Sequence, residues 1–537
     1  MAAALTRACF GRVRMSNDGE QRQVKQVSTR ASAARSDGLL PVAAAPAIGA
    51  AQRADAAQLD ALLAIVTLPA GDATFRALPE STRWQELHAR EPARAGSVRT
   101  TVLANPRHTL AVLGYLDAKA SPFERLALAG RMLKETAARQ PQQLALAAPG
   151  PRAAGRAALE ALLAATLAHA FPLPSFRTQA HPERHARRIA LLDADGLDTR
   201  HAAASARGTN LVRWLTALPP NMLDAGGYRR LIGQLARRHR LGLTWLDERA
   251  LRRAGANAFL AVASGNDAAG AGIAHLRYRP ARRRRAAHPD VALVGKGILF
   301  DTGGVNLKTH RSMLDMHTDM AGSAVALATL IALAELRAPL AADAWLAITE
   351  NRIGPHAYKP QEVVTAANGV TIQVIHTDAE GRMVLADTLA LAARTQPRLM
   401  LDFATLTGAC VYALTERMSG VFSNRPALAG KLESAGRASG ERVWNFPFEA
   451  DYDAELESKV ADVVQCAVEG KGDHILATRF LSRFVPQTTP WAHVDLSAAS
   501  RSGGLGHVST DITGFGVRFA LELLLKQNVF AALGPAP

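Results

Sequence analysis

From about residue 222 onward, short apolar runs alternate with longer stretches in which apolar residues recur at helical spacing. The short runs predict strands at 243–245, 259–262, 291–294, 344–348, 370–375, 399–401 and 493–496. Alternation at this spacing predicts an α/β fold with a largely parallel central sheet and helices on both faces. Sheets of this kind carry their sites at the carboxyl ends of the strands.

A second, smaller α/β domain is predicted over residues 51–204. Its evidence is a helical run at 157–169 and a strand pattern at 188–192. The histidine-rich stretch 181–201 lacks the spacing of metal ligands, and we interpret it as an exposed loop. Residues 205–537 then form the larger C-terminal domain.

The first 50 residues show neither helical nor strand periodicity and are rich in Ala, Arg, Ser and Gln. They predict a disordered basic tail. Two alternatives stay open: a mitochondrial transit peptide, because acidic residues are few, and a true start of the protein at Met15.

The composition is that of a globular chain, with 48% apolar and 20% charged residues among 537. Its three cysteines, Cys9, Cys410 and Cys466, form no disulfide framework, which favours a reducing, cytoplasmic location. No stretch reaches the roughly 18–20 uncharged apolar residues of a membrane span. The nearest, 321–336, contains Glu335 and predicts a buried helix.

The formal net charge of +16 raises the question of nucleic-acid binding. Arginine is abundant along the whole chain, however, and the only dense run, 282–285, predicts a solvated loop. Nucleic acid therefore remains a secondary possibility as a partner, and no membrane is expected.

Candidate chemistry is concentrated between the predicted strand 370–375 and a helix expected from Met383. Here Asp378, Glu380 and Arg382 are spaced two residues apart. On extended backbone this spacing puts all three charges on one face. The pattern predicts a site that holds a cation and an anion together.

A second cluster follows the strand 291–294. It contains Lys296, Asp301 and Lys308, and Asp319 follows shortly before the apolar run 321–336. Hard divalent cations prefer carboxylate oxygen, and two cations about 3.5–4 Å apart need several shared carboxylates. The two clusters supply four: Asp301, Asp319, Asp378 and Glu380. A lysine ligates only when neutral, and a nearby dication lowers its pKa enough.

Together these motifs resemble the leucyl aminopeptidase family of two-metal exopeptidases. The resemblance rests on the blocks at 294–308, 319–323 and 376–383, with further matches in family order over roughly 205–525. Two departures from the family pattern stand near the predicted site. His376 replaces an asparagine, and Gln361-Glu362 replace Gly-Asp.

The resemblance implies a role for each motif residue. Two divalent metals, Mn²⁺ or Zn²⁺, would be bound by Lys296, Asp301, Asp319, Asp378 and Glu380, with Asp301 and Glu380 as bridges. Lys308 would polarise the scissile carbonyl, and Arg382 would hold a bicarbonate that acts as general base on a metal-bridging water. The substrate pocket would be lined by Met316, Thr405, Leu406 and Gly408.

The family resemblance also implies peptide substrates, release of an N-terminal apolar residue such as leucine, and a homohexamer. Two other functions remain as alternatives. One is a DNA-binding or scaffolding family member with reduced peptidase activity. The other is a metal-dependent phosphoesterase, which would want histidine-rich ligands.

Overall fold

The computed structural model of the chain describes residues 45–56, 58–178, 186–266, 270–283 and 287–533. Most of the predicted tail lies outside these residues. So do His181 and His185 of the histidine-rich stretch and Arg284 and Arg285 of the arginine run. The predictions made for them stay untested.

The first half of the described chain builds a six-stranded sheet. Its strands are β1 (Ala47–Ala51), β2 (Ala61–Leu68), β3 (Val98–Val102), β4 (Leu110–Asp117), β5 (Gln143–Ala147) and β6 (Arg188–Leu192). They lie in the order β1-β6-β5-β2-β4-β3, and every pair is parallel except β3 with β4. The helices are Arg53–Ala56, Asp72–Arg76, Ser81–Arg90, Pro122–Lys134 and Arg152–His169.

Strand β1 corrects the predicted tail, because residues 47–50 belong to the sheet. They pair with β6 in parallel, with Ile48 opposite Ile189. The strand is short, rich in alanine and largely exposed, which leaves no alternation to detect in the sequence. The boundary predicted at 204/205 falls inside the helix Thr199–Thr216, and the division into domains there stays a prediction.

The second half builds an eight-stranded sheet in the order β15-β14-β17-β13-β9-β10-β8-β7. Its strands are β7 (Gly242–Asp247), β8 (Gly272–Tyr278), β9 (Val291–Asp301), β10 (Ala342–Asn351), β13 (Leu399–Ala404), β14 (Ser419–Ser423), β15 (Val443–Asn445) and β17 (Trp491–Asp495). The four central strands, β17-β13-β9-β10, are parallel, and β14 and β8 flank them antiparallel. At the edges β7 pairs antiparallel with β8, and β15 pairs parallel with β14. The α/β fold with a largely parallel sheet core is confirmed. Strands β11 (Val363–Thr365), β12 (Thr371–Gln373) and β16 (Val463–Val464) form a separate small sheet.

Helices cover both faces of the large sheet. They are Thr199–Thr216, Ala225–Arg238, Glu248–Ala254, Asn257–Ala263, His310–Met313, Ala321–Leu336, Glu380–Ala393, Gly408–Leu414, Pro426–Ser439, Asp473–Ser482, Val517–Lys526 and Val529–Ala532. Single-turn 3₁₀ segments occur at Ala281–Arg283, Met316–Thr318 and Thr415–Arg417, and a longer one at Ala450–Leu456.

The strand predicted at 259–262 is wrong, because these residues lie in the helix Asn257–Ala263. An apolar run of four residues carries no period that separates strand from helix. The decision comes from tertiary contacts. The main-chain N–H of Phe259 donates to the carboxylate of Asp387, which lies on the neighbouring helix Glu380–Ala393.

The helix Ala321–Leu336 packs directly on the sheet, as its predicted burial requires. A Cβ on Gly322 would come within 2.0 Å of the carbonyl oxygen of Phe403 in β13, so only glycine permits this approach. The longer stretch His310–Leu336 has the length and hydropathy of a membrane span, but 83% of its most apolar window is buried inside the protein. It therefore resembles the core helix of a folded domain.

The parallel strands end on the same edge of the sheet and deliver polar residues there. Asp301 ends β9, Asn351 ends β10, Asp495 ends β17, and Thr405 directly follows β13. This edge is where the sequence placed the site.

Candidate metal centre

Three of the predicted carboxylates converge at this edge. Asp301 ends β9, Asp378 lies in the turn beyond β12, and Glu380 is the first residue of the helix Glu380–Ala393. Each offers a ligand oxygen, and these oxygens all lie within 4.8 Å of one another. Carboxylates packed this closely in a buried site repel one another unless cations lie between them.

Lys296 neutralises one side of the cluster. Its Nζ lies 2.8 Å from Asp319 Oδ1 and 2.9 Å from Glu380 Oε1, and it donates to the carbonyl oxygen of Thr405 at 2.9 Å. The hydroxyl of Thr405 donates to Asp319 Oδ1 at 2.6 Å, so the loop after β13 holds both partners of this pair.

Lys308 neutralises the other side. Its Nζ lies 2.9 Å from Asp301 Oδ2 and also pairs with Asp378. Asn351 donates its amide to Asp301 Oδ1 at 2.8 Å and to the carbonyl of Thr377 at 3.1 Å, which fixes the Asp301 carboxylate against the strand that leads to Asp378.

Burial dominates the acid–base properties of the cluster. It raises the pKa of Asp319 and of Glu380 to about 7 each, and that of Asp378 to about 6. Burial works against the charged forms of Lys296 and Lys308, but the adjacent carboxylates outweigh it and raise the pKa of both amines. The described cluster thus combines four carboxylates with two ammonium groups.

Two buried oxygens of this cluster indicate that cations fit the site. Asp319 Oδ2 and Glu380 Oε2 have no hydrogen-bond partner among the described residues. A buried carboxylate oxygen without a donor is costly unless a cation faces it. The donor set, four carboxylates and a lysine, is one that hard divalent ions accept.

The expected shared face of Asp378, Glu380 and Arg382 is wrong. Helical backbone begins at Glu380, and residues two apart on a helix differ in direction by roughly 200°. Glu380 therefore contacts Lys296, whereas Arg382 lies against a different segment, 465–473. Among the predicted metal-binding and catalytic residues, Arg382 is the one not drawn into the carboxylate cluster.

Arg382 is buried, and both of its terminal nitrogens donate to acceptors within the protein. Its Nη2 donates to both carboxylate oxygens of Asp473, at 2.9 and 2.8 Å, and its Nη1 donates to the carbonyl oxygen of Gln465 at 3.2 Å. Only Nε lacks a partner among the described residues. Asp473 was missed by the sequence reasoning, because nothing in the stretch 469–473 pairs it with an arginine 91 positions earlier.

Asp495 is a second polar residue beside the site to which the sequence alone assigned no role. It is buried at the end of β17 and accepts from Leu406 N at 3.2 Å and from the Thr407 hydroxyl at 2.6 Å. Asp495 thereby fixes the loop whose Thr405 contacts Lys296. The only sequence signal was its position at the end of a predicted strand.

The predicted pocket residues are distributed over two segments beside the cluster. Met316 begins the 3₁₀ turn Met316–Thr318, shortly before Asp319. Thr405, Leu406 and Gly408 follow β13, with Gly408 opening the helix Gly408–Leu414. Apart from the exposed Gly408 these residues are half-buried, as expected of the wall of an open pocket.

Of the two family departures, only His376 makes a contact with Asp378 among the described residues. His376 is exposed and accepts the N–H of Asp378 on Nδ1 at 3.3 Å. Gln361 has φ of +74°, a conformation that favours glycine, and its side chain accepts from Gln373 Nε2 at 2.8 Å.

Known proteins with similar sequences agree with this architecture. The profile of the cytosol aminopeptidase family, catalytic domain, matches residues 210–521. A probable cytosol aminopeptidase of Parasynechococcus marenigrum (strain WH8102) is 39% identical over 380 residues, which cover 68% of this chain and 75% of the relative. Another probable cytosol aminopeptidase, from Synechococcus sp. (strain CC9605), is 34% identical over 464 residues and covers 84% of this chain and 92% of the relative.

Two solved structures are also similar. A mutant tomato leucine aminopeptidase superposes with a TM-score of 0.79 at 25% identity, covering 91% of this chain and 98% of that one. The bottromycin maturation enzyme BotP, in complex with Mn, gives a TM-score of 0.75 at 28% identity, covering 87% and 99%.

Proposed function

The chain belongs to the cytosol aminopeptidase family, and from this premise we propose that it releases the N-terminal residue, leucine or another apolar residue, from peptides. It is a leucyl aminopeptidase-type hydrolase that depends on divalent metal. The finer assignments below, of residues, ions and substrate, are part of the proposal.

Two divalent cations, Mn²⁺ or Zn²⁺, are held by Lys296, Asp301, Asp319, Asp378 and Glu380. The observation that carries this assignment is the convergence of carboxylate oxygens within 4.8 Å, with two buried oxygens left without donors. When bound, such ions supply Lewis-acid activation of a carbonyl and of a water.

The two lysines have different roles in the proposal. Lys296, whose side chain is 4% exposed, would coordinate a bound ion through Nζ once that ion had lowered the pKa of the amine and displaced its proton. Lys308, 14% exposed and nearer to solvent, keeps its proton. Its ammonium group stabilises the negative charge that develops on the carbonyl oxygen during attack.

Substrate selection is assigned to Met316, Thr405, Leu406 and Gly408. The half-buried apolar side chains of Met316 and Leu406 suit a substrate side chain such as leucine. Thr405 also hydrogen-bonds to Asp319 and Lys296, so this segment contacts the cation-holding residues directly.

The predicted bicarbonate at Arg382 fits poorly. A bidentate oxyanion requires two parallel N–H donors of the guanidinium fork, and Asp473 and Gln465 occupy both Nη groups. No proton-transfer step is therefore assigned to bicarbonate.

Assembly and location follow from family membership only. We propose a homohexamer that acts on peptides in the cytoplasm, in line with the names of the cytosol aminopeptidase relatives. The DNA-binding or scaffolding alternative has no observation in its favour among the described residues.

The assignment of the carboxylate cluster as the metal site is tested with Glu380→Ala and the shape-conserving Glu380→Gln. Both remove the acid that contacts Lys296 and borders Asp301 and Asp378, so both should lose bound metal and peptidase activity while the fold is kept. Metal content by mass spectrometry, circular dichroism and release of leucine from leucine amide with added Mn²⁺ or Zn²⁺ are measured together. The matched control is Glu433→Gln, a half-buried glutamate that pairs with Arg437 on the helix Pro426–Ser439. Full activity with unchanged metal content in both Glu380 variants would refute the assignment.

A further inference from the structure

The surroundings of Arg382 contain their own anion. Arg382 is 2% exposed, and one guanidinium nitrogen donates to both oxygens of Asp473 at 2.9 and 2.8 Å. A second nitrogen is taken by the carbonyl of Gln465. An external oxyanion that uses the fork of this guanidinium must first displace a carboxylate already in contact with it.

Asp473 is held in place as a charged group. It is the first residue of the helix Asp473–Ser482, where a negative charge is stabilised by the helix dipole. Gly472 precedes it with φ of +63°, which turns the chain sharply into the helix. The charge-assisted contacts with Arg382 complete the arrangement.

Asp473 is linked to the segment that carries Asp378 through Arg382 and Gln465. Its side chain is 23% exposed, so one side of the carboxylate faces solvent. The main-chain carbonyl of Gln465 accepts from Arg382. Its side chain accepts the N–H of His376 and donates to the carbonyl of Ala379, on either side of Asp378. Two residues, Arg382 and Gln465, thus connect Asp473 to the backbone around a proposed metal ligand.

We propose that Asp473 takes the place of bicarbonate as the carboxylate that accepts the proton of the attacking water. This inference rests on the proposed aminopeptidase function. An O–H bond of water breaks, its oxygen bonds to the peptide carbonyl carbon, and the proton passes to Asp473. As the C–N bond breaks, the same proton moves to the leaving amine nitrogen, and the Asp473 carboxylate is restored. Arg382 orients this carboxylate, because its Nη2 donates to both carboxylate oxygens.

The test compares activity in CO₂-free buffer with activity in added bicarbonate. It uses metal-loaded wild-type protein, Asp473→Ala and the control Asp453→Ala. Asp453 is a matched control because it makes a bidentate pair with Arg479 on the same helix, at 2.7 Å for both contacts, and its side chain is also 23% exposed. Metal content and thermal unfolding are recorded for each protein.

Wild-type activity is expected to be unchanged by removal of bicarbonate. Asp473→Ala should fall by about 10²-fold in CO₂-free buffer, the lower end of what general-base catalysis contributes. Added bicarbonate should restore much of this loss, because the freed Arg382 fork can then bind it. Asp453→Ala should show neither effect.

Two results would overturn the proposal. One is a wild-type enzyme that loses activity without bicarbonate and regains it on addition. The other is an Asp473→Ala variant that stays active in CO₂-free buffer, or whose loss bicarbonate does not reverse. Should Asp473→Ala fail to fold, Asp473→Asn replaces it. Its amide oxygen still accepts from Arg382 but takes up no proton, so this variant should be inactive in CO₂-free buffer, and activity there would contradict the proposal. If even the wild-type protein releases no amino acid with metal, the aminopeptidase proposal itself fails, which is a distinguishable outcome.

Discussion

The two lysines of the cluster give the sharpest test of the proposed chemistry. As counter-charges they look equivalent: Lys296 lies between Asp319 and Glu380, and Lys308 between Asp301 and Asp378. The proposal makes one a ligand that must lose its proton and the other a permanent cation. Arginine stays charged in either position, so Lys296→Arg and Lys308→Arg should behave differently.

Packing strengthens the difference. A Cβ on Gly381 would lie 2.6–2.9 Å from Cε, Nζ and Cδ of Lys296, so the space around this side chain is closed. A guanidinium at 296 has no room and cannot coordinate. Lys296→Met, which matches lysine in length and is neutral, separates the effect of crowding from the effect of the missing ligand nitrogen. It fits the space but still offers no ligand nitrogen.

The magnitudes follow from burial and contact. Lys308→Arg should keep both metals and lose mainly kcat, by about 10²–10³ at most, or roughly 2.7–4 kcal/mol, if the oxyanion contact is fully lost. Lys296→Arg and Lys296→Met should each lose a metal and nearly all activity. Chelated Lys296→Met should also unfold more easily, because breaking a buried pair costs on the order of 3–5 kcal/mol.

The assay combines metal content, steady-state kinetics and thermal unfolding with and without chelator for the three variants. If Lys296→Arg and Lys308→Arg bind two metals alike and lose activity alike, the division of roles is wrong. If Lys296→Met keeps both metals, Lys296 is a counter-charge and not a ligand.

Two further predictions concern the scaffold. Burial raises the pKa of Asp387 to about 7; a folded-state pKa above the unfolded value gives stability that is present below about pH 4 and lost as pH rises through 7. Asp387→Asn should therefore be less stable than wild type at pH 5 and approach it by pH 8, and a melting-temperature gap that does not change with pH would contradict this. Sedimentation of the metal-loaded protein should give a hexamer, and a stable, active monomer at micromolar concentration would count against the proposed assembly.

The fold was largely predictable because its core elements carry continuous apolar runs. The helix predicted at 321–336 matches Ala321–Leu336, and the strand predicted at 188–192 matches β6. The strand predicted at 259–262 failed because four apolar residues fit either backbone. The hydrogen bond that decides it comes from Asp387, 128 residues away. A local sequence pattern contains no information about a partner that far away in the chain.

The site was predictable where the motif residues lie in a predicted strand or shortly after one. Asp301, Asp378 and Glu380 meet as expected, and Lys296 and Lys308 lie beside them. Arg382 was not predictable in the same way. Its direction depends on whether the helix begins before or after it, and its partner comes from a segment with no pattern of its own.

One residue connects Arg382 to the backbone on either side of Asp378. The side chain of buried Gln465 accepts from the main-chain N–H groups of Ile375 and His376 at 3.1 Å each and donates to the carbonyl of Ala379 at 3.0 Å. Its own carbonyl accepts from Arg382. Thr405 makes a corresponding link among other predicted residues, because its carbonyl accepts from Lys296 and its hydroxyl donates to Asp319. The two hydrogen-bond networks thus hold different proposed ligands: Gln465 holds the segment of Asp378, and Thr405 holds the pair Lys296 and Asp319.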